Sequence, residues 1–175
     1  MTELLPPLLL TGGPAVGKTV TASALAESTP RTAYVDVDDI RQLIKHGAVA
    51  PWHGDEGLNQ QLLAVDNAAA LTRNFAAAGF NVTLSDVVNP TTLAGYRRLL
   101  PDVLVIRLAV SLEEAWRRAR TRAVYLTEWE FESIHLDQAS RLPVDHELDV
   151  TELDQAEQLQ RVRALWMQRH RGCMR

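Results

Sequence analysis

The pattern Gly12-x-x-x-x-Gly17-Lys18-Thr19 limits what this chain can fold into more than any other feature of it. It lies between the wholly apolar run Leu8-Leu9-Leu10 and an alanine-rich segment running from Val20 to about Glu27, closed by Ser28-Thr29-Pro30. An apolar run of that length suits a strand buried on both faces, as in a parallel sheet, and the alanine-rich segment reads as a helix. A glycine loop between strand and helix is the setting in which the Walker A pattern grips phosphate. Its glycines let the backbone curl with N–H groups turned inward, and the helix N-terminus adds the positive end of a dipole. Lys18 supplies a point charge to the β- and γ-phosphates, and the Thr19 hydroxyl is a ligand for Mg²⁺. The candidate nucleotide-binding residues are Gly12, Gly13, Pro14, Ala15, Val16, Gly17, Lys18, Thr19 and Val20.

Strand and helix patterns alternate along the rest of the chain. Strands are predicted at Thr32–Val37, Phe80–Val88, Val103–Val110 and near Leu148–Val150. Helices are predicted from Asp38 to about Lys45, Leu58 to about Ala78 (ended by Gly79), Thr91 to Leu100, Ser111 to about Arg122 with Glu114 completing a capping box, and about Leu153 to Arg169. The expected fold is α/β: a single three-layer αβα domain over residues 1–175 with a mostly parallel, roughly five-stranded sheet. A net charge of −4 gives no whole-chain sign of a nucleic-acid partner. The single cysteine, Cys173, makes no internal disulfide, and the stretch Leu4–Leu10 is broken by Pro6 and Pro7 and too short to span a bilayer. Both point to a cytoplasmic protein that uses no membrane. The histidines at 46, 53, 135, 146 and 170 lack metal-ligand spacing, so a structural zinc is not expected.

The second strand delivers Tyr34-Val35-Asp36-Val37-Asp38-Asp39-Ile40-Arg41 close to the phosphate loop. Carboxylates at the carboxyl end of a parallel strand stand where open α/β sheets bind ligands. A carboxylate there can orient a hydroxyl and accept its proton late in phosphoryl transfer. The alternative is that Asp38 or Asp39 caps the next helix. This stretch resembles the acceptor-side motif of a broad superfamily of small P-loop kinases. Asp36-Val37-Asp38 is similar to the Asp-x-Asp of shikimate kinases, and Asp38-Asp39-Ile40-Arg41 to the Asp-Asp-x-Arg of polynucleotide 5′-kinases; chloramphenicol phosphotransferase-like and zeta-toxin-like proteins belong to the same group. The resemblance implies that Asp38 accepts the proton of an attacking hydroxyl, that Asp36 faces Mg²⁺, and that Arg41 holds a polar or anionic group of the acceptor. It implies ATP and Mg²⁺ as the phosphoryl donor and its metal.

Relatives of this kind place a lid after the fourth strand, here about residues 117–141, where Trp116-Arg117-Arg118-Ala119-Arg120-Thr121-Arg122 stands. Arg118 and Arg122 fall on one helix face, able to converge on the transferred phosphoryl group, while Arg117 reads as a solvated partner of Glu113 or Glu114. By position, about 46–57 is the acceptor-binding insertion, with Trp52 and His53 as acceptor contacts or packing anchors, and Asn67 on the following helix as a further cleft residue or a buried amide. Asp86 ends the third strand as an acid for metal-bound water or acceptor, and Thr151 stands where such relatives have their adenine loop.

The expected activity is transfer of the γ-phosphate of ATP to a hydroxyl of a small molecule such as an antibiotic, nucleoside or sugar. The alternatives are a polynucleotide 5′-hydroxyl kinase, disfavoured by the acidic balance, and a regulatory ATPase without acceptor, disfavoured by the absence of the GTPase Asn-Lys-x-Asp and switch motifs. Monomer and homodimer are both open, as is ATP against GTP.

Overall fold

The computed structural model describes residues 4–120, 126–139 and 142–172. The chain runs β1 (Leu8–Thr11), α1 (Lys18–Glu27), β2 (Thr32–Asp36), α2 (Val37–Arg41), α3 (Gly54–Ala77), β3 (Asn81–Ser85), α4 (Pro90–Leu99), β4 (Leu104–Ala109), α5 (Leu112–Ala119), α6 (Glu128–Ala139), β5 (His146–Asp149) and α7 (Gln155–Gly172). The five strands form one sheet in the order β2-β3-β1-β4-β5, and every pairing is parallel. This is the doubly wound arrangement in which ligands bind beyond the carboxyl ends of the strands, here the ends carrying the phosphate loop, Asp36 and Asp86.

Helices on both faces produce two cores. Leu8 and Leu10 of β1 pack with Leu104, Ile106 and Leu108 of β4 against α1, Phe131 of α6, and Val162 and Trp166 of α7. Leu9, Val82, Leu84 and Val105 point the other way, against α3 and α4. In the central strands β1 and β4 successive residues alternate between faces that are both covered, which is why these two read as largely apolar runs. Trp166 is fully buried and satisfies its indole N–H on the Pro6 carbonyl at 2.8 Å.

Element ends follow local chemistry. α4 starts in a capping box between Asn89 and Thr92 with Pro90 in its first turn. α3 ends in a Schellman motif: Phe80 N–H bonds to the Phe75 carbonyl at 3.0 Å and Gly79 N–H to Ala76 at 2.9 Å. The rings of Phe75 and Phe80 meet edge to face across it, centroids 6.3 Å apart. Among the described residues no helix is long and apolar enough to cross a membrane; Cys173 lies outside them.

Several sequence-based boundaries shift. The expected helix from Asp38 to Lys45 is a single short segment, Val37–Arg41. α3 begins at Gly54, before the expected Leu58, so the insertion expected at 46–57 ends in the first turn of a 24-residue helix. β3 stops at Ser85, and β5 is centred on His146–Asp149.

Candidate active site

The phosphate loop is shaped by two left-handed glycines. Gly12 has φ 137°, and a Cβ there would lie 2.1 Å from the Leu108 carbonyl oxygen, so the loop can leave the sheet only as glycine. Gly17, at φ 90°, ends the loop and leads into α1. The Lys18 ammonium donates to the Gly12 carbonyl at 2.9 Å and to Gly13 at 2.8 Å, which holds the cation across the loop mouth.

On the β2 side, Asp36 performs two tasks. Its Oδ1 accepts from the Asp38 N–H at 3.0 Å and caps α2, so Asp36, rather than Asp38 or Asp39, is the helix cap. Its Oδ2 accepts from Tyr34 at 2.9 Å and lies 3.5 Å from the Thr19 hydroxyl. Tyr34 continues to Ser85, 2.7 Å away, because β2 pairs in register with β3. Burial and the adjacent Asp36 charge, against the Ser85 hydrogen bond, push the Tyr34 phenol up to about 12, so it stays a donor to Asp36. Thr19 and Asp36 thus place a hydroxyl and a carboxylate together beside the loop. Such a sparse, hard-oxygen set fits Mg²⁺, which takes one or two protein oxygens and completes its shell with water and phosphate.

Asp38, two positions on, is exposed, with 68% of its side chain accessible. Arg41 tethers it, donating Nη1 to Asp38 at 2.7 Å and Nη2 to Asp86 at 2.7 Å. Asp86 is enclosed. It also accepts from Tyr96 at 2.8 Å and from the Val87 N–H at 2.7 Å. Burial opposes the Arg41 charge, but Asp86 outweighs it and holds the guanidinium above its usual value. Burial and the Asp86 carboxylate together raise the Tyr96 phenol well above its ordinary value. Asp86, expected at acceptor or metal-bound water, thus takes protein donors on both oxygens, and it is joined to the cleft wall through Arg41.

Arg41 forms one wall of a cleft of about 440 Å³ with Lys45, Val49, Pro51, Gln60 and Gln61 among its other walls. This is the candidate acceptor cleft, and the insertion contributes to it through residues 48–51. Trp52 does not line it. The residue is 44% exposed and its ring stands edge to face with His53, which places Trp52 at the surface outside the cleft's lining. Asn67 is likewise exposed.

A cavity of about 350 Å³ lies on the opposite shoulder of the loop, lined by Ala15, Gly17, Val20, Arg117, Leu153 and Gln158 among others. It places a nucleoside-sized space beside the helix that carries Lys18. Thr151 is turned from it: its hydroxyl accepts from the Ser111 N–H at 3.1 Å, and Leu153, Asp154 and Gln155 take the lining role expected of Thr151. Arg118 also lines this cavity, and its bonds to Glu114 at 2.7 Å and to the Val150 carbonyl at 2.7 Å fasten the loop after β5 to α5. Arg117 pairs with Glu114, as the sequence suggested. Arg122 lies outside the described residues.

Sequence reasoning missed three participants. His135 of α6 lies against the loop, its Nδ1 3.3 Å from where a Gly13 Cβ would be, and burial lowers its pKa. Arg107 is buried in β4 and pairs with Glu147 of β5 at 2.6 Å; with Gly13 and His135 they line a third cavity of about 180 Å³. Gln158 of α7 reaches the loop from behind. Strand register supplied a signal only for Arg107 and Glu147, which face each other across β4 and β5.

No family model matches the chain, and no curated protein matches it. Solved structures do. A sugar kinase from Janibacter sp. superposes at TM-score 0.70 with 17% identity, over 94% of this chain and 95% of that one. A shikimate kinase from Acinetobacter baumannii, solved in complex with shikimate, gives TM-score 0.67 and 21% identity over 95% and 96%. The tunicamycin resistance protein of Deinococcus radiodurans gives 0.69 and 17% over 92% and 95%. Coverage of both partners from end to end establishes the fold as that of the small P-loop kinases.

Proposed function

We propose that this chain is a kinase that transfers the γ-phosphate of ATP to a hydroxyl of a small molecule, of the antibiotic, nucleoside or sugar kind. The observation that carries the reading is the placement of Asp38: an exposed carboxylate, beside the phosphate loop, tied by Arg41 to the wall of a separate cleft. That is the geometry a hydroxyl acceptor needs, with its proton acceptor and its binding wall joined by one side chain. The fold shared with a sugar kinase and a shikimate kinase agrees with it.

In this mechanism the loop amides and Lys18 hold the polyphosphate and neutralise charge as the bond to the leaving oxygen lengthens. Thr19 and Asp36 are the residues that would hold Mg²⁺, which would supply charge neutralisation at the phosphates when bound. The acceptor lies in the cleft at Arg41, Gln60 and Gln61, and Asp38 orients its hydroxyl and takes the proton as the new P–O bond forms. The cavity at Leu153 and Gln155 seats the base. The chain acts as one domain, with α6 covering the loop as the helical part of a lid.

The test is Asp38→Asn assayed with [γ-³²P]ATP against pools of sugars, nucleosides and hydroxylated antibiotics, followed by the acceptor that the wild type labels. Turnover should fall about 10²- to 10⁴-fold, with ATP affinity within about twofold. Full turnover in the variant would remove Asp38 from the chemistry, and hydrolysis independent of any acceptor would favour the regulatory ATPase.

A further inference from the structure

Gln158 has no chemistry of its own to offer a phosphoryl transfer, yet it is 4% exposed and its amide is aimed at the loop. Nε2 donates to the Val16 carbonyl at 3.1 Å and to the Thr21 hydroxyl at 2.8 Å, across more than a hundred residues of chain. The contact is close: a Cβ on Gly17 would lie 2.8 Å from the same nitrogen.

The Val16 carbonyl and the Gly17 N–H belong to one peptide group. That group is planar and trans, so the two point in opposite directions. Whatever holds the Val16 oxygen outward from the loop turns the Gly17 N–H inward, toward the space a polyphosphate occupies. Gly17 lacks a Cβ and sits at φ 90°, where a glycine peptide is free to rotate, so the loop cannot fix this direction by itself. Thr21, one turn into α1, ties the same amide to the helix that carries Lys18.

We propose that Gln158 is a positioning residue: it sets the orientation of the Gly17 N–H, and so the affinity of the loop for a nucleoside triphosphate. The proposal rests on the nucleotide-binding reading above and adds to it a residue from the last helix, far from the motif in sequence. Gln158 also walls the cavity assigned to the base, so α7 supports both ends of the donor.

Two variants test it by calorimetric titration of MgATP between pH 5.5 and pH 8, with circular dichroism confirming the fold. Gln158→Glu keeps the length but sets a carboxylate against the Val16 oxygen; burial raises its pKa, and once protonated it can donate again. Gln158→Met keeps the packing and can never donate. At pH 8 both should bind MgATP about tenfold more weakly than wild type. Relative to wild type at each pH, the Gln158→Glu deficit should close on acidification, and the Gln158→Met deficit should stay constant. Wild-type affinity in Gln158→Met at pH 8, or a pH-independent deficit in Gln158→Glu, would overturn the proposal. If Gln158→Glu does not fold, Gln158→Met decides alone. Failure of the wild type itself to bind MgATP would refute the nucleotide reading instead.

Discussion

Replacing Tyr96 and Asp86 singly and together should expose how strongly the buried side of the acceptor cleft is coupled. The Asp86 side chain has 0% exposure and three donors: Arg41 at 2.7 Å, Tyr96 at 2.8 Å and its neighbouring Val87 N–H at 2.7 Å. Tyr96→Phe removes one donor and leaves a buried carboxylate oxygen without it, which costs about 2 kcal/mol. Asp86→Ala strands a guanidinium and a phenol at once. Breaking a buried pair in this way costs about 3–5 kcal/mol. The lower end applies, because the Arg41 side chain is 21% exposed and keeps Asp38 through Nη1. In the Asp86→Ala background the Tyr96 hydroxyl has already lost its acceptor, so removing it costs nothing further. The double variant should therefore lose about 3 kcal/mol rather than about 5, a coupling of about 2 kcal/mol. Urea unfolding at pH 7, followed by tryptophan fluorescence, measures all four corners of the cycle. If the two losses simply add, within about 0.5 kcal/mol, Tyr96 and Asp86 are not coupled and the phenol does not support the buried carboxylate.

Other outcomes follow from separate contacts. Gly12→Ala should lose about 1–3 kcal/mol from the forced left-handed φ alone, with the collision at the Leu108 carbonyl added, and should bind MgATP weakly; unchanged melting and affinity would contradict the close approach. Hydrogen bonds from Arg117, then from Arg118, lower the Glu114 carboxyl to about 2 from 4.5. A depressed carboxyl stabilises the fold above its unfolded pKa and loses that contribution as pH falls toward 2, so wild type should lose thermal stability between pH 5 and pH 2.5 more steeply than Glu114→Gln. The difference should be small and shrink in salt, since Arg117, the partner named first, is 71% exposed; parallel curves would refute it.

The parts of this protein that were readable from sequence are those governed by neighbours along the chain. The phosphate loop is a contiguous pattern between a buried strand and a helix, and the two central strands β1 and β4 carry their apolar runs in place. Asp36 was legible because it ends a strand beside that loop, and Asp38 because it follows in the first turn of the next helix. What failed to show depended on contacts across the fold. Asp86 looked like a strand-end acid, but only the packing of α2 and α4 against β3 reveals that Arg41 and Tyr96 enclose it. Trp52 carried the chemistry of a stacking contact, and the early start of α3 leaves it on the surface. Gln158 is a glutamine in an ordinary amphipathic pattern, and nothing local distinguishes it from Gln160 or Gln155.

The capping of α2 explains why the two acids of the Asp-x-Asp pattern take different parts. A cap residue must turn one carboxylate oxygen to the N–H two positions ahead, and Asp36 does so through Oδ1. Its remaining oxygen is thereby aimed away from the helix, at Tyr34 and Thr19. Asp38, which supplies the capped N–H, is then fixed in the first turn with its side chain projecting outward, where Arg41 can reach it three residues on. One local hydrogen bond therefore separates a carboxylate facing the Thr19 hydroxyl from an exposed carboxylate paired with the cleft-lining Arg41. Without that cap, both Asp36 oxygens would be open to Tyr34 and Thr19, and nothing would fix which of them faces the Thr19 hydroxyl.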